Sequence, residues 1–352
     1  MSDPRALILA LPQPVILVGQ DERVRGINDP ALRLIGSACD GWHYISALRQ
    51  PAILDAVEAT LGDGGQRTAR YLGNDGARDT TWDVAVRSAV LSDGRVVVLT
   101  FTDMTALEQA GQMRRDFVAN VSHELRTPLT SLLGFIETLR GPARNDAKAQ
   151  DRFLEIMEQE AGRMHRLVED LLSLSRVEDQ ERVRPTTRVN LNTLVAEVVE
   201  ALRPVAQEQG VQVKTDCPPD PVEVLGDWGQ LWQVLRNLVE NAIKYGVRQD
   251  GTGGTVTISV KPAAHEPSLR QAGAQLRVRD EGAGIAAYHI ARLTERFYRV
   301  DSHRSREVGG TGLGLAIVKH IINRHRGRLR IESTFGEGTE FTVILPLDLP
   351  DA

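Results

Sequence analysis

The octet Ser122-His123-Glu124-Leu125-Arg126-Thr127-Pro128-Leu129 carries side chains suited to group transfer. With Val118 and Leu125 at heptad position a and Val121 at d, His123 falls at f and faces water. A neutral imidazole attacks with one ring nitrogen while an acidic neighbour takes or orients the proton on the other. Glu124 is that neighbour, the candidate general base beside the nucleophile. Thr127 lies one helical turn on, on the same face. Its hydroxyl can orient a water but is a poor base at neutral pH. Pro128 removes a backbone hydrogen bond and crowds the Glu124 carbonyl, so a kink is expected at the reacting turn. A lone histidine on a coiled coil is more often a plain surface residue; the whole octet makes it a nucleophile.

Four further stretches could hold a nucleotide. In Asn237-Leu238-Val239-Glu240-Asn241-Ala242-Ile243-Lys244-Tyr245, the side chains of Asn237, Asn241 and Lys244 share one helix face. An amide oxygen is a hard ligand suited to Mg²⁺ bound with phosphates, and a lysine supplies a phosphate contact. Glu240 can hold or activate a metal-bound water. Asp280-Glu281-Gly282-Ala283-Gly284 follows an apolar strand. There Asp280 can accept from an adenine amino group while Gly282 and Gly284 let backbone approach the base. Gly309-Gly310-Thr311-Gly312-Leu313-Gly314-Leu315 opens a helix, where free N–H groups can face phosphates. It is not a GxxxxGK[ST] loop, nor does it open a dinucleotide-binding βαβ unit. The charged stretch from Tyr298 to Val308 reads as a lid. Gly336-Glu337-Gly338-Thr339 is a tight turn between strands, explained as well by a hairpin as by a ligand contact.

Three kinds of element must position these groups. Up to about Asp103, short strands at Pro14–Val18, Val24, Thr80–Arg87 and Val96–Phe101 surround helical stretches, one capped by Asp29 with Pro30 first, another at Ala52–Leu61. This predicts a mixed α/β module with an antiparallel sheet, its last strand following the turn Asp93-Gly94. From Thr105 to about Glu178, apolar residues at Val118, Val121, Leu125, Leu132, Phe135 and Leu139, then Phe153, Ile156, Met157, Met164, Leu167, Leu171 and Leu174, keep helical spacing. Gly141 to Asp146 breaks the run, which predicts an antiparallel hairpin that dimerises into a four-helix bundle. Arg182-Val183-Arg184-Pro185 reads as a linker. Beyond it, helices at Leu191–Gln209, Asp227–Tyr245 and Leu313–Arg324 alternate with strands, which predicts helices on one face of a mixed sheet.

The five motifs in this order resemble the sensor histidine kinases of two-component signalling. His123 stands in the H box, Asn237 to Tyr245 in the N box, Asp280 to Gly284 in G1, Phe297-Tyr298 in the F box and Gly309 to Leu315 in G2. The resemblance covers about Arg114 to Leu347. It implies an α+β multidomain protein: a PAS-like sensor module over 1–104, a dimerisation and phosphotransfer hairpin over 105–181, and a Bergerat-type α/β sandwich that binds ATP over 186–350. It further implies that His123 accepts the phosphoryl group and that Asn241 carries Mg²⁺. Asp280 would read adenine, and Asn237, Lys244, Tyr245, Gly282, Gly284, Gly310, Gly312, Leu313, Gly314 and Thr339 would line the ATP site. In such kinases the residue at the Thr127 position orients a water that dephosphorylates the partner. The partner implied is a response-regulator receiver domain, and the kinase a homodimer. The first hundred residues are similar to phosphate-regulon sensor kinases at Ala10–Val15, Leu48–Ala52 and Asp103–Thr105, which suggests phosphate-starvation signalling. An ATPase of the Hsp90 and MutL group would lack the H-box hairpin. A scaffold without activity would not need His123, Asn241 and Asp280 together.

Composition fits this expectation. The 352 residues are 41% hydrophobic and 25% charged, ordinary for a globular protein. A net charge of −5 supplies no field toward nucleic acid or anionic membrane. Cys39 and Cys217 lie far apart without metal-ligand spacing, which suits a reducing compartment. No apolar run reaches the roughly 18 residues of a membrane span, so a cytoplasmic location is expected, a membrane anchor in a longer form aside. His43, the only histidine of the first hundred residues, is expected to serve a surface or core role rather than to bind haem.

Overall fold

The computed structural model describes residues 4–36, 39–74, 76, 78–91, 94–181, 183–246, 253–300 and 310–348. Of the sequence expectations, Asp93, Arg182, Gly309, residues 301–308 of the lid and residues 349–350 lie outside this set. The chain divides into two compact units after Ala119.

The first unit holds α1 (Pro4–Leu9), β1 (Val15–Gly19), β2 (Val24–Ile27), α2 (Asp29–Ile35), α3 (Tyr44–Leu48), α4 (Pro51–Asp63), β3 (Arg67–Asn74), β4 (Asp79–Leu91) and β5 (Gly94–Asp103). Its sheet runs β2-β1-β5-β4-β3, antiparallel throughout. Strand β1 is buried along its whole length. Ile16 and Val18 join the main core with Ile53, Val84, Leu99 and Phe101, while Val15 and Leu17 pack with Ile8 of α1. Alternating side chains thus fill both faces of the strand.

The cap of α2 differs from expectation. Asn28 rather than Asp29 is the N-cap, and Asp29 and Pro30 begin the helix. The buried Asn28 amide oxygen accepts from the N–H groups of Val15 and Ala31, and its nitrogen donates to the carbonyls of Ile8, Leu11 and Gln13. A carboxylate could not donate those bonds, so an amide holds the position. His43 caps α3 and meets Glu22 at 2.8 Å.

The second unit contains most of α5 (Thr105–Arg140), which continues past the division, and all of α6 (Ala147–Gln180). Residues 141–146 turn the chain, and Asp146 caps α6 through the Ala149 N–H at 3.1 Å. Helix α5 runs on through a buried Pro128. The rings of Phe135 and Phe153 meet across the hairpin at 5.4 Å between centroids. Leu167, Leu174 and Val177 are buried, whereas Leu133, Leu154 and Leu172 stay more than half exposed.

Downstream come β6 (Arg188–Asn190), α7 (Leu191–Glu208), β7 (Gln212–Asp216), β8 (Glu223–Leu225), α8 (Trp228–Tyr245), β9 (Thr255–Glu266), β10 (Gln271–Asp280), α9 (Ala287–Ile290), α10 (Gly314–Arg324), β11 (Arg328–Thr334) and β12 (Gly338–Pro346). The sheet order is β11-β12-β10-β9-β7, with β7 parallel to β9 and the other pairs antiparallel. Strands β6 and β8 form a separate ribbon. Helices α7, α8 and α10 pack side by side against the sheet, which makes a two-layer sandwich. Val256, Ile258 and Val260 alternate into that core with Leu276 and Val278. His325, wholly buried after α10, joins the end of that helix to the start of α8. Its Nε2 accepts from the Asp227 N–H at 3.0 Å, and its Nδ1 lies 2.8 Å from the Ile321 carbonyl. Those partners fix the neutral tautomer with hydrogen on Nδ1. Burial holds the His325 pKa below that of a free histidine.

Candidate active site

His123 lies exposed on α5, as the heptad register requires. Thr127, also exposed, donates its hydroxyl to the His123 carbonyl at 3.2 Å. Thr130 and Ser131 bond back to Arg126 and Thr127 in the same manner. Glu124 turns inward. Its Oε2 accepts from Arg163 of α6 at 3.2 Å and from Arg299 at 3.1 Å. All three side chains are at most one-fifth exposed, so solvent screens these pairs weakly. Arg299 follows Phe297-Tyr298, so a segment far along the chain reaches the turn that carries His123.

Helix α8 supplies one wall of a second locus. Asn237 is buried and donates its amide to the Gly314 carbonyl at 3.3 Å, which fastens the Gly-rich turn to α8. Asn241, one turn on, is half-buried. Lys244 is half-buried near Glu240, Arg166, Arg236 and Asp170; burial lowers its pKa, against the pull of Glu240 and Asp170. Tyr245 ends the helix and is 43% exposed.

Asp280 closes β10 and is buried. Its Oδ1 accepts from the Gly282 N–H at 2.9 Å and the Thr339 N–H at 3.3 Å. Burial raises its pKa, and the two N–H groups pull it back. Only glycine fits at 282, because a Cβ there would stand 2.0 Å from the Tyr245 carbonyl oxygen. The loop therefore lies flat on the end of α8, and Gly284 carries it to the Thr334 carbonyl. Thr339 is buried and shares its hydroxyl with Ser333 at 2.9 Å. The turn left open between hairpin and ligand contact is thus bonded to Asp280.

The Gly-rich stretch follows. Gly310 is half-buried, and Thr311 Oγ1 accepts from the Leu313 N–H at 3.3 Å. Gly312 has φ +73 and abuts Phe297, whose N–H donates to the Gly312 carbonyl at 2.9 Å. Leu313 is buried ahead of α10, which Gly314 begins. Tyr298 is held by His289 at 2.5 Å, with the Arg292 guanidinium over its ring at 4.3 Å.

The expected residues therefore form two groups inside one compact unit: His123, Glu124 and Thr127 on α5, and the remainder around the end of α8, β10 and the Gly-rich turn. Arg163, Arg299, Asp170 and Ser333 were not singled out in sequence. Arg163 and Arg299 lie 39 and 175 residues from Glu124, so no local spacing pairs them. Asp170 carried only its helical position.

Residues 113–180 match the family described as "His Kinase A (phospho-acceptor) domain", and residues 226–349 that described as "Histidine kinase-, DNA gyrase B-, and HSP90-like ATPase". The chain is 41% identical to the phosphate regulon sensor protein PhoR of Pseudomonas aeruginosa, over 72% of this chain and 54% of that one. It is 40% identical to the sensor-like histidine kinase SenX3 of Mycobacterium bovis, over 72% and 59%. With the sensor protein kinase WalK of Staphylococcus aureus it shares 31% identity over 98% of this chain and 80% of that one. It belongs to the sensor histidine kinase family. The chain spans somewhat over half the length of PhoR and SenX3. The histidine kinase ThkA, solved in complex with response regulator protein TrrA, has the same fold at 21% identity, with a TM-score of 0.52 over 98% of both chains. Among the described residues no helix is long and apolar enough to cross a membrane.

Proposed function

We propose that this chain is an ATP-dependent protein-histidine kinase that phosphorylates His123 and passes the phosphoryl group to an aspartate of a response-regulator receiver domain. The observation that carries the reading is the bond from Arg299 to Glu124, which brings a segment from beside the Gly-rich turn to the turn of His123. His123 attacks the γ-phosphorus with one ring nitrogen; an N–P bond forms as the P–O bond to ADP breaks. Glu124 takes the proton from the other ring nitrogen, for which it must turn from Arg163 and Arg299 toward the ring. The rest is positioning and charge stabilisation, the main needs of phosphoryl transfer.

Asp280 accepts from the adenine amino group, and Gly282 and Gly284 let backbone lie against the base. Asn237, Lys244, Tyr245, Thr339 and the Gly310–Gly314 turn line the remainder. The Asn241 amide oxygen suits Mg²⁺. Mg²⁺ held there would complete its shell with nucleotide phosphate oxygens and water. The ion would neutralise phosphate charge.

The functional parts are a PAS-like sensor over 1–104, a hairpin over 105–181 and an ATP-binding domain over 186–350. The exposed Leu133, Leu154 and Leu172 support homodimerisation of the hairpin into a four-helix bundle. Likeness to PhoR supports phosphate signalling, a cytoplasmic location fits this use of ATP, and the complex of ThkA with TrrA supports the receiver partner. Thr127 orients the water that hydrolyses the regulator's acyl phosphate. The test is to incubate the purified chain with γ-labelled Mg-ATP, add receiver domains and follow the label. Label moving from kinase to one receiver is expected; no label on the kinase would reject the proposal.

A further inference from the structure

Asp170 has no part in the chemistry described so far, yet it faces groups that the nucleotide's phosphates need. Its Oδ2 accepts from the Thr311 hydroxyl of the Gly-rich turn at 2.6 Å. The same carboxylate acts electrostatically on Lys244. It also feels Arg236 and Glu240 of α8. Further along, α6 and the residues just after it are fastened to the sandwich. Ser173 donates to Gln233 at 2.9 Å, Arg296 pairs with Glu178, His320 meets Glu181 at 3.3 Å, and Arg324 donates to the Val183 carbonyl at 3.0 Å. The hairpin thus presents a fixed negative charge to a turn built to receive phosphate oxygens.

We propose that Asp170 is an internal competitor of the ATP phosphates: docked, it occupies the Thr311 hydroxyl of the Gly-rich turn, and nucleotide binding requires α6 to release it. This rests on the kinase reading above. Two anions cannot share one small set of donors in a partly desolvated site without strong repulsion. Either the carboxylate or the phosphates take the turn. The catalytic domain freed by ATP is then the one able to move to His123, so the contact makes release from the hairpin a step of loading. Asp170 sets affinity for the phosphate portion of the ligand and not for the base, which lies at Asp280.

The test compares Mg-AMP-PNP with adenosine, which lacks phosphates, on wild-type protein, Asp170→Asn and Glu169→Gln. Glu169 is its neighbour, two-thirds exposed, and serves as the control for net charge. Asparagine keeps an acceptor for Thr311 and removes the charge. Asp170→Asn is expected to bind Mg-AMP-PNP on the order of tenfold more tightly at low salt, with the gain shrinking as salt rises. Adenosine affinity and the Glu169→Gln variant should match wild type. A second measurement needs no variant: in wild-type protein, hydrogen exchange across residues 166–174 should quicken with Mg-AMP-PNP and not with adenosine. Equal Mg-AMP-PNP affinity in Asp170→Asn and wild type, an equal gain for adenosine or in Glu169→Gln, or unchanged exchange would overturn the competitor. Wild-type protein that bound neither probe would overturn the kinase reading as well, which separates the two failures.

Discussion

Replacing Asp280 by asparagine should separate binding from folding. The carboxylate is buried, and its Oδ1 already serves two backbone N–H groups, at 2.9 Å from Gly282 and 3.3 Å from Thr339. An asparagine carbonyl accepts both bonds, so the turn should keep its shape. Burial raises the carboxyl's pKa, which means the charged form is disfavoured there, and a neutral amide relieves that cost. Thermal stability without nucleotide should therefore stay within about 1 kcal/mol of wild type or rise. Binding should respond oppositely. A hydrogen bond from a base to a charged acceptor contributes about 1.5–3 kcal/mol, and about 1.4 kcal/mol is tenfold in affinity. The variant should bind ATP on the order of 10- to 100-fold more weakly. If the amide nitrogen turns to the ligand it donates, which suits the guanine carbonyl better than the adenine amino group. The preference for ATP over GTP should accordingly shrink. Asp280→Ala supplies the contrast. It strands two buried N–H groups, at about 1–3 kcal/mol each, so it should lose stability as well as affinity. Calorimetric titration with ATP and GTP, paired with thermal unfolding of the free protein, measures both. If Asp280→Asn binds ATP within twofold of wild type, Asp280 does not read adenine.

Thr127→Ala should leave self-phosphorylation and transfer intact while slowing decay of the phosphorylated regulator. Among the described residues its exposed hydroxyl bonds the His123 carbonyl of its own helix, so the change in stability should stay within about 0.5 kcal/mol; equal decay rates with wild type and variant would remove the water-orienting role. His325 makes the second unit sensitive to acid. Its folded pKa is depressed below the ordinary 6.5, so the unfolded chain binds the proton more readily, and the stability His325 contributes is present above about pH 6.5 and lost as pH falls through the folded value. Unfolding midpoints between about pH 7 and 5 should fall more steeply in wild type than in His325→Gln, and parallel curves would assign the acid response elsewhere.

Much of this molecule was legible before its coordinates. Glycines, an aspartate at a strand end and an asparagine helix face declare themselves locally, because each acts through its own backbone or one helical turn. The helices over 191–208 and 228–245 and the hairpin over 105–180 followed from apolar periodicity. Strand β3 did not, since in Arg67–Asn74 only Tyr71 is buried and no apolar alternation marks it. Strands β9 and β10 extend to Glu266 and from Gln271, past the apolar stretch that was visible, because backbone pairing carries them through polar residues. Asn28 rather than Asp29 caps α2, and the bonds that demand an amide there reach segments up to 20 residues away. The bond of Glu124 to Arg163 crosses the hairpin, and those of Glu124 to Arg299 and of Asp170 to Thr311 arise where the hairpin meets the sandwich. Such contacts depend on tertiary placement, to which spacing along one element is blind.

The most direct test of the central claim is incorporation of label from γ-labelled Mg-ATP into wild-type protein and His123→Gln, with ATP affinity measured on both. His123 is exposed on α5, so the substitution should leave thermal stability and ATP affinity nearly unchanged. Wild-type protein should acquire a label that acid removes and alkali does not, as expected for an N–P bond. His123→Gln should bind ATP and acquire none. Acid-labile label on His123→Gln would contradict the account.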